Sequence, residues 1–330
     1  MTKSIRSNMP IGLVLTMTLT MLLLFGFLFG LLAVVGMYFS LDGFLVVGMA
    51  VGMLLLQWYI GPMIIRWTTN MRNLEKGEYP WVEDFVADLC KKHNLKMPTL
   101  AVVNDGGPNA FVFGRTNRST TLCVTQGLMK NLTKDEVKGV LAHEVGHIKH
   151  NDMVVMMIVS AIPMIAFFVA RFLLFAPKNG ERKDVGYLIL VGIAAWVVYF
   201  VTNLFVMFFS RIREYYADRF GGQNFNPHAL ASALAKITYG LSLSKSDFSS
   251  AARSFFIADP YTSHFEISHF SKEFSDMHIT KDEIKKAMEW EKKNLFAKIS
   301  ELFRTHPLTW KRIRALHQLE EEMNGRGAKK

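Results

Sequence analysis

Two histidines and a glutamate near the middle of the chain have the types and the spacing of a metal-dependent hydrolase site. His143, Glu144 and His147 form the pattern H-E-x-x-H. Residues four apart lie on one face of a helix, one turn from each other, so both imidazoles can reach one metal ion. Zinc suits imidazole ligands, and a neighbouring carboxylate can act on water at the metal. The pattern therefore predicts a zinc site, in which Glu144 can hold a metal-bound water.

A third metal ligand is needed, because a catalytic zinc site takes three protein ligands and keeps one position open. The best candidate is Glu214, and Asp218 shares its helical face one turn later. We predict that Glu214 binds the metal and that Asp218 supports a ligand histidine. His147 and Glu214 are distant in sequence, but each lies within a few residues of an apolar run. A hairpin of these two runs returns both residues to one membrane surface.

Long stretches without charged residues indicate that the chain is a membrane protein. Half of its 330 residues are hydrophobic, and charge-free runs cover residues 7–41, 43–65, 153–170 and 185–210. Each run reaches the roughly 18 residues that a spanning helix needs. The first run is too long for the apolar part of a cleaved signal peptide, which favours a retained anchor. We predict about four transmembrane helices in two hairpins, residues 1–66 and 153–210.

Lysine and arginine flank the predicted membrane helices. Lys3 and Arg6 precede the first helix, Arg66 and Arg72 follow the second, and the turn between the two carries only Asp42. By the positive-inside rule, both ends of this hairpin face the cytoplasm. We therefore predict a multi-pass protein of the plasma membrane, with both termini and the soluble parts in the cytoplasm. The net charge of +10 is explained by this pattern, so no nucleic-acid partner is expected.

The soluble residues 67–152 and 211–330 are predicted to form the two parts of one cytosolic catalytic domain. Extended pieces at Thr99–Val103, Ala110–Gly114 and Thr120–Thr125 predict a small antiparallel sheet. Thr133 and Glu136 have the spacing of a capping box, which starts the helix that carries both histidines. Cys90 and Cys123 lack metal-site spacing and are predicted to be reduced core thiols. The predicted fold is a mainly α membrane protein with an α+β catalytic domain.

In their order along the chain, these residues resemble the HtpX-like membrane zinc endopeptidases, which are relatives of the CAAX prenyl endopeptidases. H-E-x-x-H is followed by a membrane hairpin and then by S-R-x-R-E-x-x-A-D, residues 210–218. Similar motifs are also present at residues 108–111, 305–307 and 312–314. The resemblance covers nearly the whole chain, with residues 244–278 as the stretch that has no match.

The resemblance implies a zincin-like (gluzincin) catalytic domain that holds one Zn²⁺ per chain. The implied ligands are His143, His147 and Glu214, with Glu144 as the base. It further implies that His306, together with Arg312, donates to the oxyanion that develops on the substrate. Asn109 is expected to orient an edge strand or to bind the substrate backbone.

The predicted activity is hydrolysis of peptide bonds by a membrane-bound zinc endopeptidase. Its expected partners are the lipid bilayer and polypeptide substrates, chiefly misfolded or damaged membrane proteins, as in stress-related quality control. Two alternatives remain open. A prenyl-protein endopeptidase is one, although such relatives typically carry more membrane helices. A non-catalytic membrane scaffold with a structural zinc is the other, but it has no use for Glu144. No pattern in the sequence specifies an oligomeric state.

Overall fold

The structure, a computed structural model, describes residues 43–175, 183–241 and 281–327. Its helices are α1 (Gly43–Thr69), α2 (Pro80–His93), α3 (Gln126–Asn131), α4 (Lys134–Lys149), α5 (Asp152–Phe175), α6 (Lys183–Asn224), α7 (Pro227–Leu241), α8 (Lys281–Lys293), α9 (Leu295–Ser300) and α10 (Thr309–Gly327). A 3-10 turn at Glu301–Phe303 follows α9. The strands are β1 (Arg72–Asn73), β2 (Thr99–Val103), β3 (Ala110–Gly114) and β4 (Thr120–Thr125).

The chain divides into two compact units. Among the described residues, the helical unit comprises 43–57, 155–175 and 183–212, and the α+β unit comprises 58–154, 213–241 and 281–327. The predicted domains end at residues 66, 152 and 210. In the structure, the chain passes from one unit to the other after residues 57, 154 and 212.

The helical unit contains a pair of packed antiparallel helices. The first half of α5 packs near the later part of α6, through Val159, Ile162 and Phe209. Further along α5, Ala166 packs near Ala195 of α6. This is the out-and-back arrangement that the two apolar runs predict, although residues 176–182 of the predicted turn lie outside the described residues.

The number of membrane-spanning helices stays a prediction. By length and composition, one helix in the described part of the chain, Ile189–Asn224, can cross a membrane. A second is counted if the bent pair Lys134–Lys149 and Asp152–Phe167 forms one span. The predicted segment at 7–41 lies outside the described residues, and residues 43–65 fall within the helix α1.

The sheet of the α+β unit is mixed, so the prediction of an antiparallel sheet is wrong in one pairing. The strand order is β1-β2-β4-β3. β4 pairs antiparallel with β3 but parallel with β2, and β1 pairs antiparallel with β2. The three predicted strands have the predicted bounds, whereas the two-residue strand β1 was not predicted. A strand this short leaves no alternating pattern in the sequence.

The loop between β2 and β3 explains the parallel pairing. Residues 104–109 carry the chain past the place that β4 later fills, a distance of two strand spacings or roughly 10 Å. The loop is fastened to the start of α3, because the Gly127 amide donates to the carbonyl of Asp105 at 2.8 Å. A Cβ on Gly127 would lie 2.2 Å from the Gly106 carbonyl oxygen, so only glycine allows this approach.

Two hydrophobic layers cover the two faces of the sheet. One face packs on the main core, which is formed chiefly by α2, α4, α7 and α10. The other face presents Phe111, Phe113 and Cys123, and Ile65 from the end of α1 packs against it. Both cysteines are buried and unpaired, which confirms that part of the prediction. Burial raises the pKa of the Cys123 thiol to about 12, so it is an inert core group.

The second half of α1 also contacts the hairpin that joins β3 to β4. The Trp58 indole donates to the carbonyl of Arg115 at 2.8 Å, and the Arg115 guanidinium donates to the carbonyl of Tyr59 at 2.8 Å. The same guanidinium lies over the Tyr59 ring. The edge strand β3 is therefore fixed at its carboxyl end by a helix that contributes no residue to the main core.

The helix that carries the histidines begins at the predicted capping box. Thr133 Oγ1 accepts from the Glu136 amide, and Glu136 Oε2 accepts from the Thr133 amide. Two glycines allow the end of α6 to lie against this helix. A Cβ on Gly146 would lie 3.1 Å from Ala217 Cα, and one on Gly221 would lie 3.0 Å from the His143 amide nitrogen. This close crossing brings the α6 carboxylates to the histidines of α4.

Candidate metal centre

Three potential metal ligands converge between α4 and α6. The Nε2 atoms of His143 and His147 lie 3.2 Å apart. Oε2 of Glu214 lies 3.6 Å from the first imidazole, and Oε1 lies 3.6 Å from the second. These ligand atoms all lie within 4.8 Å of one another, so the three residues could hold one metal ion. The structure thus brings together the three ligands that the sequence predicts.

His143 is oriented by a buried carboxylate and a buried arginine. Its Nδ1 lies 2.9 Å from Oδ1 of Asp218. Arg312, from α10, binds both oxygens of Asp218, through Nε at 2.8 Å and Nη2 at 2.7 Å. Burial alone would raise the pKa of Asp218, but the guanidinium and the imidazole hold it below its usual range. Asp218 therefore stays ionised and fixes the rotation of the His143 ring.

His147 has a matching support that the sequence analysis missed. Its Nδ1 lies 2.5 Å from Oδ2 of Asp152, and Arg213 Nη2 contacts the same oxygen at 2.9 Å. Asp152 follows Asn151, whose φ of 57° ends α4 in the left-handed conformation. Asparagine tolerates this conformation better than most residues. An H-N-D sequence just after the second histidine is the signal from which this partner could have been predicted.

The donor set fits a metal ion. With each Nδ1 directed at a carboxylate, a neutral imidazole carries its proton there and turns a lone pair outward at Nε2. The two Nε2 atoms at 3.2 Å then face each other as acceptors, next to a carboxylate oxygen. A metal ion relieves this arrangement. Without one a proton does so, because burial lowers the pKa of His143 but the contacts with Asp218 and Glu214 raise it to about 9. The Nε2 separation matches the roughly 3.3 Å expected of two nitrogens in a tetrahedral zinc site.

Two cationic or potentially cationic groups contact one carboxylate oxygen of Glu214. His306 Nδ1 lies 3.2 Å from Oε2 of Glu214, and Arg312 Nη1 lies 3.1 Å from the same oxygen. Burial alone would raise the pKa of Glu214, but His306 and Arg312 hold it well below its usual range. Oε1 is the oxygen turned toward His147. The contacts of Arg312 with two buried carboxylates favour a positioning role, and its predicted contact with substrate stays a prediction.

Glu144 is buried beside the histidines on α4. Its side chain is 2% exposed, and burial raises its pKa above the usual value for glutamate. The imidazoles of His147 and His143 act in the opposite direction. A carboxylate whose pKa is shifted toward neutrality is suited to accept a proton and return it.

Asn109 lies at the start of the edge strand β3, and its side chain is buried. Its backbone is bonded to the end of β4, where the Thr125 hydroxyl accepts from the Asn109 amide at 2.9 Å and the Thr125 amide donates to the Asn109 carbonyl at 3.0 Å. The contacts fit the strand-orienting alternative of the prediction. The role of Asn109 in substrate binding stays a prediction.

Comparison with known proteins identifies the family. Residues 77–320 match the model of peptidase family M48. The chain belongs to this family. Its relatives include the Protease HtpX homolog of Methanothermobacter thermautotrophicus, 40% identical over 223 residues, which cover 66% of this chain and 83% of the relative. The Protease HtpX homolog of Aeropyrum pernix is 33% identical over 288 residues, covering 84% and 86% of the two chains. These matches confirm the resemblance to HtpX-like proteins.

A solved structure shares the fold of this M48 peptidase. The crystal structure of Ste24p from S. mikatae matches with a TM-score of 0.51 and 17% sequence identity. The match covers 93% of this chain and 67% of Ste24p. Family membership makes the chain a peptidase, and the His-His-Glu group could bind the metal of its site.

Proposed function

We propose that this chain is a membrane-bound, zinc-dependent endopeptidase whose catalytic domain faces the cytoplasm. The observation that carries the proposal is the convergence of His143, His147 and Glu214, with Glu144 buried beside them. The apolar helix Ile189–Asn224 supports the membrane location. Misfolded or damaged membrane proteins are the proposed substrates, and the relatives' name, Protease HtpX homolog, supports proteolysis.

The ligand residues would hold one zinc ion through two Nε2 atoms and a carboxylate oxygen. When bound, the ion would supply Lewis acidity for water and for the scissile carbonyl. Glu144 would accept the proton of the attacking water and deliver it to the leaving amine. His306, on the loop before α10, would donate to the oxyanion that develops on the substrate.

The edge strand β3 offers a place for an extended substrate. Among the described residues, β3 pairs only with β4, so its other edge is open. A substrate backbone could add there as a further strand. The strand β4 (Thr120–Thr125) has no such open edge, because it lies between β2 and β3 and both of its edges are paired.

The test compares Glu144→Gln with the wild-type chain in the full-length, zinc-loaded protein. Loss of a general base costs about 100-fold or more in rate. We expect cleavage of unfolded casein to fall at least that far, while the bound zinc measured by atomic absorption is unchanged. Glu214→Ala should lose both zinc and activity. Cleavage by Glu144→Gln at the wild-type rate would show that the proposed mechanism is wrong, and full zinc in Glu214→Ala would remove the ligand assignment.

A further inference from the structure

Five large hydrophobic side chains point outward from one short stretch of the α+β unit. They are Leu295 (70% exposed), Phe296 (57%), Ile299 (51%), Leu302 (52%) and Phe303 (52%). Outside α1, the other exposed large hydrophobic residues described in this unit are Met97 (38%) and Met323 (40%), which are less exposed. We call these five side chains the apolar face. Clusters of this kind on a protein surface mark places of interaction.

The spacing of the apolar face places its side chains on one side of a helix. Relative to Leu295, the other four residues follow at one, four, seven and eight positions. At about 100° per residue, all five fall within roughly 120° around the helix axis. The backbone stays right-handed and helical from α9 into the 3-10 turn, as the φ and ψ of Ser300 (−61° and −28°) and of Glu301 (−57° and −30°) show.

Contacts on the inner side hold this stretch in place. Asn294 caps α9, because its Oδ1 accepts from the Phe296 amide at 2.8 Å, and Ala297 is fully buried. Glu301 accepts from the Leu308 amide at 3.2 Å and from the Lys311 amine. The fold therefore fixes the apolar face outward, since the opposite side of the same helix is anchored in the α+β unit.

Basic residues surround the apolar face. Residues 292–304 contain four lysines or arginines and one glutamate, which gives 4 − 1 = +3. Lys292, Lys293 and Lys298 are exposed. Glu289 forms long contacts with two of them, 4.0 Å to Lys292 and 3.5 Å to Lys293, and exposed pairs of this kind bind weakly. The stretch thus combines leucine and phenylalanine on one side with positive charge at its border.

We propose that the apolar face docks on the surface of an anionic lipid bilayer. Leucine and phenylalanine would enter the boundary between head groups and acyl chains, and the lysines would contact lipid phosphates. Three residues after Phe303, the chain reaches His306, whose Nδ1 lies 3.2 Å from Glu214. Docking would hold the loop that carries His306 against the lipid surface. The proposal concerns lipid binding and does not depend on the proposed peptidase mechanism.

The test measures whether lipid contacts the apolar face when the full-length protein is held in lipid nanodiscs. Phe296→Cys is labelled with an environment-sensitive NBD fluorophore, and both native cysteines are buried. Lys130→Cys, at an exposed position on α3, is the matched control. We expect the label at 296 to emit at shorter wavelength and to be quenched by nitroxide lipids in discs that contain phosphatidylglycerol. Quenching should be several-fold weaker in pure phosphatidylcholine, and weak for the control in both.

A second variant tests the charges. Lys292→Glu, Lys293→Glu and Lys298→Glu combined should remove the quenching at position 296 without changing the melting temperature. Equal quenching in both lipid mixtures, or in the charge-reversed variant, would overturn the anionic preference. A label that is shielded from iodide but not reached by lipid quenchers would show that protein covers the face. Shielding that appears only after unfolded casein is added would identify a polypeptide site, and either result overturns lipid docking.

Discussion

The two proposed histidine ligands are supported in the same way but from different distances. Each Nδ1 faces an aspartate, and each aspartate faces an arginine. For His147 the aspartate is Asp152, only five residues later in the chain. For His143 it is Asp218, whose arginine comes a further 94 residues along the chain. We call Asp152 with Arg213 the local support and Asp218 with Arg312 the distant support. Each joins three helices, but only the local support has its aspartate within one turn or so of the histidine helix in sequence.

The contacts of the distant support are more extensive. Arg312 is 2% exposed, binds both oxygens of Asp218 and also reaches Glu214. In the local support, a single oxygen of Asp152 receives both His147 and Arg213. The distant support therefore links two proposed ligands and part of the core, whereas the local one orients a single ring. This difference predicts unequal effects of substitution.

Asp218→Ala should have the largest effect, because it leaves the buried guanidinium of Arg312 without its main partner. Breaking a buried ion pair from one side costs about 3–5 kcal/mol. Loss of the support of a metal ligand weakens metal binding by about 10–100-fold. Urea unfolding of the apo and zinc-loaded protein, with a competitive zinc titration, measures both effects. Wild-type zinc affinity in this variant would contradict the role assigned to Asp218.

Gly146→Ala should have the next largest effect, because both supports depend on the close crossing of α4 and α6. The new methyl group would lie 3.1 Å from Ala217 Cα and would push the helices apart. Overpacking of this kind costs about 1–3 kcal/mol. Gly139→Ala is the matched control. Gly139 lies on the same helix as Gly146, and its Cβ would lie 3.0 Å from the amide nitrogen of Leu230 on α7. Both variants should lose stability, but only Gly146→Ala should lose zinc affinity.

Asp152→Asn should have a smaller effect than the loss of Asp218. The amide oxygen can still accept from His147 Nδ1, while the contact with Arg213 loses its charge. We expect zinc to bind about tenfold more weakly, the lower end of the range for such partners, with little change in the free energy of unfolding. Asp218→Asn is the direct comparison. A greater loss of zinc affinity in Asp152→Asn would reverse the proposed ranking of the two supports.

Glu136, at the start of α4, belongs to neither support and serves as the reference for the effects of substitution. Burial would raise the pKa of Glu136, but hydrogen bonds from Lys236, Ser232 and the Thr133 amide lower it below its usual value. Its stabilising effect is therefore fully present above the unfolded pKa of about 4.3. This effect is lost as the pH falls through the lower folded pKa.

Glu136→Gln should have the smallest effect in this series, about 1 kcal/mol less unfolding free energy at neutral pH. The difference from wild type should shrink as the pH falls below about 4, and zinc affinity should be unchanged. Urea unfolding at a series of pH values measures this dependence. A difference that is constant with pH would show that the charge of Glu136 is not what stabilises the helix start.

The comparison also shows which parts of the molecule could be predicted from the sequence. The start of α4 follows from the local capping pattern at Thr133, and the spacing of Glu214 and Asp218 follows from helical periodicity. The parallel pairing of β2 with β4 could not be predicted, because strands that are not consecutive leave no local signal. Asp152 was missed, although the asparagine before it allows the left-handed φ of 57° that places it. The contacts of Arg312 depend on packing between distant helices.

The distance along the chain between Asp218 and Arg312 has a consequence for biosynthesis. During translation, both histidines and Glu214 are made before the arginine that follows 312 − 214 = 98 residues later. At 5–20 residues per second, this interval lasts roughly 5–20 s. During it, Asp218 lacks its guanidinium partner, and for most of it the loop with His306 has not been made. The order of synthesis therefore delays completion of the candidate metal centre until Arg312 has been made.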